Sequence, residues 1–186
     1  MTGRYEMRGG GLALWMLLVS TVLAYGPSSP LALAKVQVVL DAQITADEKT
    51  VSEIVAAFDQ AESAVQARDV DTLMTLYSKR YNYHRLRKSD ARRLWEEIFE
   101  YHRQLHSTHL FTRIVTAESG GELRAEVTCT GALWGIGTES GQKVTIDSWS
   151  DEVHYLVKED GKWRIIGNAG VAPETPRFGH APHPLF

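Results

Sequence analysis

The chain has 186 residues with 20 Lys and Arg against 23 Asp and Glu, a net charge of −3 and a pI near 6.2. That mildly acidic balance argues against recognition of nucleic acid by bulk charge. Cys129 is the single cysteine, so no disulfide can form within the chain.

The first 34 residues have the order of a secretory signal peptide. Arg4 and Arg8 make a basic start, an apolar run opens at Leu12 and reaches about Ala24, and Gly26-Pro27-Ser28-Ser29-Pro30 ends it. Ala32-Leu33-Ala34 supplies the small residues that a signal peptidase requires, which places cleavage after Ala34. The run is shorter than the ~20 apolar residues of a spanning helix, so the expectation is a secreted or periplasmic protein with no stable membrane insertion after cleavage. Removing residues 1–34 takes away two arginines and one glutamate, which shifts the net charge from −3 to about −4.

Residues 35–46 form a lead-in with an extended stretch through Val36–Leu40, followed by a domain over 47–170 and a flexible tail over 171–186. The spacing Thr45-x-x-Glu48 has the form of a capping box. Val51, Ile54, Val55, Phe58 and Val65 then recur at helical spacing, which gives a first helix over about 47–68. Asp71 is suited to cap a short second helix through Leu73, Met74, Leu76 and Tyr77. A third helix, capped by Ser89 or Asp90 and running to about Leu105, carries the stripes Leu94, Ile98, Tyr101, Leu105 and Trp95, Phe99, His102. So wide an apolar face predicts packing against more than one neighbour.

From residue 108 the period becomes two, with candidate strands at Thr108–Ala117, Leu123–Trp134, Val144–Lys158 and Trp163–Asn168. Glu159-Asp160-Gly161-Lys162 is a tight-hairpin signal, because Asp-Gly adopts the positive φ angles of such a turn. Alternation puts Cys129 on an apolar strand face. Neither face of 144–158 is cleanly apolar, which predicts a bulge or bend within that strand. Helices followed by an antiparallel meander define an α+β layer fold.

Two segments carry a resemblance. The junction Val65-Gln66-Ala67-Arg68-Asp69-Val70-Asp71-Thr72-Leu73-Met74-Thr75-Leu76-Tyr77 and the hairpin Tyr155–Ile166, with its Asp160-Gly161-Lys162-Trp163-Arg164 turn, resemble the nuclear transport factor 2-like (SnoaL-like) superfamily. The resemblance implies three N-terminal helices packed on a curved antiparallel sheet, a cone whose pocket opens at one end. It also implies a small, largely apolar ligand, with or without acid/base catalysis, or alternatively a non-catalytic association module. A homodimer is the expected assembly, and no cofactor is expected.

The region that supplies a catalytic aspartate in isomerase members reads Tyr81-Asn82-Tyr83-His84-Arg85 here, without a carboxylate. His84 is the general base expected at that place, because an imidazole titrates near neutrality. Asp147 is the candidate acid/base on the third long strand, and hydrolase-like members of the superfamily suggest an Asp-Arg-Asp set of Asp147, Arg113 and Asp151. Tyr83, Trp95, Phe99, Arg113 and Trp149 are the expected ligand-binding residues. His102, His106 and His109 lack the carboxylate of a zinc-helix motif and predict capping of a helix end, with no metal. The bases Lys79, Arg80, Arg85, Arg87, Lys88, Arg92 and Arg93 cluster before and within the third helix. They form either an anion-docking surface or a solvated face.

Overall fold

A strand precedes the helices. In the computed structural model, which describes residues 36–83 and 85–167, β1 (Val36–Thr45) is followed by α1 (Glu48–Ala67) and α2 (Val70–Leu73), then a 3-10 turn over Met74–Leu76. The short strands β2 (Asn82–Tyr83) and β3 (Leu86–Arg87) lead into α3 (Lys88–Tyr101). The long strands β4 (His102–Ser119), β5 (Glu122–Gly137) and β6 (Lys143–Glu159) and the short β7 (Lys162–Ile165) complete the chain. The expected signal peptide, the expected tail and His84 lie outside the described residues.

The main sheet has the order β1-β4-β5-β6-β7. Its last four strands are antiparallel, but β1 runs parallel to β4, with Val36 opposite His109 and Ile44 opposite Ile114. The expected antiparallel sheet is therefore mixed, and the lead-in is its edge strand. β2 and β3 form a separate small hairpin.

All three helix starts differ from the sequence reading in their capping residue. Asp47, not Thr45, caps α1: its carboxylate accepts the Thr50 backbone N–H at 2.8 Å, while Thr45 is held in β1. Asp69, not Asp71, caps α2 through the Thr72 backbone N–H at 3.0 Å, after Arg68 has closed α1 in the left-handed conformation. Helix α3 also starts earlier than read: its N-cap is Arg87, not Ser89 or Asp90, and Asp90 lies one turn inside, where its carboxylate accepts the Arg87 backbone N–H at 2.8 Å. It stops at Tyr101, four residues before the predicted Leu105, because His102 turns extended and pairs with Gly137 as the first residue of β4. His102 and His106 thus lie on a strand, not on one helix face.

The predicted Asp160-Gly161 turn forms, and a second one joins β4 to β5. Gly120 and Gly121 (φ 61° and 76°) join β4 to β5, and Asp160 and Gly161 (φ 51° and 74°) join β6 to β7, each pair with the two positive φ angles of a hairpin turn. The predicted irregularity in β6 is present: the register with β5 shifts between Cys129 and Gly131, and Asp151 has φ 53°. As a result Trp149 and His154 are both buried, although one is odd-numbered and the other even.

The helices bury Ile54, Phe58, Val65, Leu73, Trp95 and Phe99 with Phe111, Ile114, Val127, Leu133, Leu156 and Ile165 of the sheet. Burying such side chains contributes roughly 1.5–3 kcal/mol each. Among the described residues no helix is long and apolar enough to cross a membrane.

Candidate active site

One carboxylate lies inside the apolar stripe of α1. Ile54, Phe58, Glu62 and Val65 recur at helical spacing and all four are buried against the sheet. On β4 the alternation Leu105, Ser107, His109, Phe111 points the same way, and all four are buried as well. The crossing of this helix and this strand places Glu62 on Ser107 and His109.

The Ser107 hydroxyl donates to Glu62 Oε2, and His109 Nδ1 lies 2.5 Å from Glu62 Oε1. Glu62 and His109 are both 0% exposed, and Ser107 and His154 are 2% exposed. Burying a carboxylate costs several kcal/mol, and the two hydrogen bonds offset that cost. With Nδ1 protonated toward the carboxylate, the His109 lone pair resides on Nε2, the arrangement in which a carboxylate orients a histidine base and stabilises the imidazolium that forms.

The surroundings of this pair are aromatic. The Phe58 ring centroid lies 5.3 Å from that of His109, Trp149 5.0 Å and His154 6.2 Å, and Phe58 meets Phe111 edge-on at 5.1 Å. Trp149 rests on Gly131, where an added Cβ would come within 2.5 Å of the indole, and its Nε1–H donates to Cys129 Sγ at 3.3 Å. Burial pushes the Cys129 thiol up to about 12, so it packs as an apolar group, as its strand position predicts. Access to the pair requires one of these rings to move, and Trp149 is the one seated on the irregular part of β6.

The residues selected from sequence divide between regions. Trp95 and Phe99 are core residues of α3, and Trp95 Nε1–H donates to the Tyr77 hydroxyl at 2.8 Å. Tyr83 is half-buried in the small hairpin, and Trp149 closes over His109. Asp147 is half-buried in β6, accepts the Ser148 backbone N–H at 2.7 Å and lines a shallow pocket of about 310 Å³ with Leu94, Tyr101, His102 and Ile146. Arg113 pairs with Glu126 at 3.0 Å on the outer sheet face.

The Asp-Arg-Asp set does not assemble. Asp147 lies in register with Leu133 and Arg113 with Thr128, five residues along β5, which corresponds to about 16 Å, and Asp151 is exposed at the irregularity. Of the three histidines, His102 Nδ1 lies 3.1 Å from the Ile98 carbonyl at the end of α3, and His106 stacks on Trp134 at 4.5 Å. No group of three or more His, Cys, Asp or Glu among the described residues is arranged to hold a metal ion.

The basic cluster is largely engaged within the protein. Arg80 pairs with Glu122 at 2.8 Å and Glu159 at 3.2 Å, Arg92 with Asp71 at 2.6 Å, and Arg93 with Asp90 at 2.9 Å. Lys88 Nζ donates to the Tyr77 carbonyl at 2.8 Å. Sequence reasoning missed Glu62 and Ser107 and named His109 only as a helix-end histidine. The available signal was a single acid within the apolar stripe of α1, and Ser and His at alternate positions of an otherwise apolar strand face.

Helices on one face of a long antiparallel meander, with a polar pair sealed between them, define an α+β layer fold. Among solved structures, a conserved protein from Planctomyces limnophilus matches with a TM-score of 0.55 and 13% identity over 65% of this chain and 94% of its own. A Novosphingobium aromaticivorans protein provisionally assigned as an aromatic ring hydroxylase gives 0.51 and 14% over 66% and 87%. A ketosteroid isomerase-like protein from Erwinia carotovora atroseptica gives 0.47 and 14% over 65% and 94%. No protein-family model and no curated protein matches the sequence. At these identities the likeness to the Planctomyces limnophilus and Novosphingobium aromaticivorans proteins is one of fold alone.

Proposed function

We propose that the chain is exported, loses residues 1–34 and binds a small, largely apolar molecule in the interior of a cone formed by the helices and the sheet, where His109 held by Glu62 acts as acid or base. The observation that carries this reading is the 2.5 Å contact of His109 Nδ1 with the Glu62 carboxylate, sealed among Phe58, Phe111 and Trp149. A packed interior gains little from a buried polar pair that apolar residues of similar volume could replace. A histidine oriented by a carboxylate among aromatic rings is suited to moving a proton on an apolar substrate. Glu62 fixes the ring and offsets its charge, Ser107 holds the second carboxylate oxygen, and the rings exclude water. Asp147 and His84 remain the alternative acid/base pair, at the half-buried site on β6 and outside the described residues, respectively.

The test is native mass spectrometry of the chain purified from its native host, followed by turnover of the extracted compound. The expected result is an N-terminus at Lys35, one retained small molecule per chain, and turnover reduced by roughly 10²–10⁴-fold in His109→Gln. An empty chain, or equal turnover in His109→Gln, would remove the reading, and an intact leader would remove its export.

A further inference from the structure

The bases that cluster between Lys79 and Arg93 hold a second candidate site, independent of the buried pair and of the function proposed for it. The structure sorts them into two sets. Arg80, Arg92 and Arg93 are neutralised by Glu122, Glu159, Asp71 and Asp90. Lys79, Arg85, Arg87 and Lys88 form no ion pair with a carboxylate among the described residues. Lys88 gives its ammonium to a neutral acceptor, the Tyr77 carbonyl, and keeps its charge uncompensated.

The four uncompensated bases lie together. Arg87 of β3 stands opposite Asn82 of β2, Arg85 turns the chain between those two strands with φ 75°, and Lys88 follows as the first residue of α3. Lys88 is close enough to Lys79 to sense its charge. Burial holds the Lys88 ammonium below its ordinary range, and Arg164, Arg92 and Lys79 lower it further against Glu159, the one acid that opposes them. Arg164 adds to the excess, because its ion pair is the exposed Asp160 at 3.9 Å, beyond hydrogen-bond distance. Lys79, Arg85 and Arg87 are exposed, so this positive field opens to solvent.

The surroundings of the patch select its partner. Among the described residues the exposed large apolar side chains are Leu40, Ile44, Leu110 and Val153 of the main sheet and Tyr101 at the far end of α3, so none stands among the four bases. Stable membrane docking adds apolar side chains that enter the bilayer, and single-stranded nucleic acid stacks its bases on exposed rings. The patch supplies neither. It supplies cations for oxyanions and, beside them, the exposed Asn82 and Ser89 side chains for hydroxyls. We propose that this surface binds an acidic polysaccharide, its carboxylate or sulfate groups on Lys79, Arg85, Arg87 and Lys88.

The experiment is titration of the chain with fluorescently labelled dextran sulfate over a series of salt concentrations, with neutral dextran, polyuridylate and phosphatidylglycerol vesicles as comparisons. Dextran sulfate is expected to bind saturably and neutral dextran not at all. The logarithm of Kd should rise with the logarithm of salt with a slope of about 3, the value for four ionic contacts. Lys79→Gln with Arg85→Gln and Arg87→Gln should weaken dextran sulfate at least about tenfold and reduce that slope by about 2, at an unchanged melting temperature. Lys49→Gln with Arg103→Gln and Lys143→Gln removes as much charge from exposed positions elsewhere and should change the affinity by no more than about twofold. The proposal is overturned by no saturable binding at low salt, by equal affinity in the first triple variant, or by an equal loss in the second, which would make the attraction one of overall charge. Tighter binding of the vesicles or of polyuridylate than of dextran sulfate would overturn it as well and would assign the surface to a membrane or to nucleic acid.

Discussion

His109 of β4 meets Glu62 of α1 at 2.5 Å, 47 residues apart in sequence and both closed to solvent. This contact ties the first long helix to the second strand of the sheet at a fully buried polar point. It makes Glu62 a residue of both the fold and the proposed chemistry.

Removing one partner should therefore cost far more than removing both. His109→Leu leaves the Glu62 carboxylate with Ser107 as its remaining partner in this cluster and is expected to destabilise the chain by about 3–5 kcal/mol. Glu62→Met combined with His109→Leu should cost less than His109→Leu alone, because the buried charge is gone. Urea unfolding of the single and double variants measures the difference. A double variant as unstable as the sum of the singles would show that the pair is not coupled.

Acid should loosen the helix starts. Thr50 and Thr72 hydrogen bonds hold the Asp47 and Asp69 carboxyls below their ordinary range, and Arg80 and Arg124 do the same for Glu122. A carboxylate lowered in the folded state contributes stability that is complete above its unfolded pKa, about 4, and is lost as the pH falls through the lower folded value. The melting temperature should accordingly fall below about pH 4, and Asp47→Asn with Asp69→Asn should flatten that fall. An unchanged acid slope in the double variant would assign it to other groups.

The sequence carried the local features well and the long-range ones poorly. Asp160-Gly161 and the alternation around Cys129 specify backbone angles and a buried face within a few residues, and both form as read. The end of α3 was not legible, because Leu94, Ile98, Tyr101 and Leu105 continue the helical period. Pairing of His102 and Arg103 with Gly137 and Ile136 overrides it. The parallel pairing of β1 with β4 joins segments about 70 residues apart and leaves no periodic mark. Glu62 falls within the apolar stripe of α1, but nothing local in the sequence names its partners. Only the crossing of α1 over Ser107 and His109 makes it interior.

Cys129 offers a direct check of the interior. Its thiol is 0% exposed and burial pushes it up to about 12, so at pH 8 only about one molecule in 10⁴ carries the thiolate. Native protein should resist a thiol-specific reagent at pH 8 for as long as it stays folded, and urea should release one reactive thiol per chain. Rapid reaction of the native form would mean that the Trp149 segment opens readily.

Gly131 tests whether Trp149 can move independently of the sheet. A Cβ there would lie 2.0 Å from the Thr108 carbonyl oxygen and 2.5 Å from the Trp149 ring. The indole could swing aside, but the carbonyl belongs to the paired backbone of β4 and cannot. Gly131→Ala is expected to cost about 3 kcal/mol or more, at or above the upper end of overpacking penalties, and to change the Trp149 environment together with stability. Thermal unfolding and tryptophan fluorescence of the variant measure both. A variant of normal stability with altered fluorescence would show that β4 and β5 yield locally and that the ring over His109 moves at little cost. A large loss of stability would mean that the approach of Thr108 to Gly131 anchors the wall on which Trp149 rests.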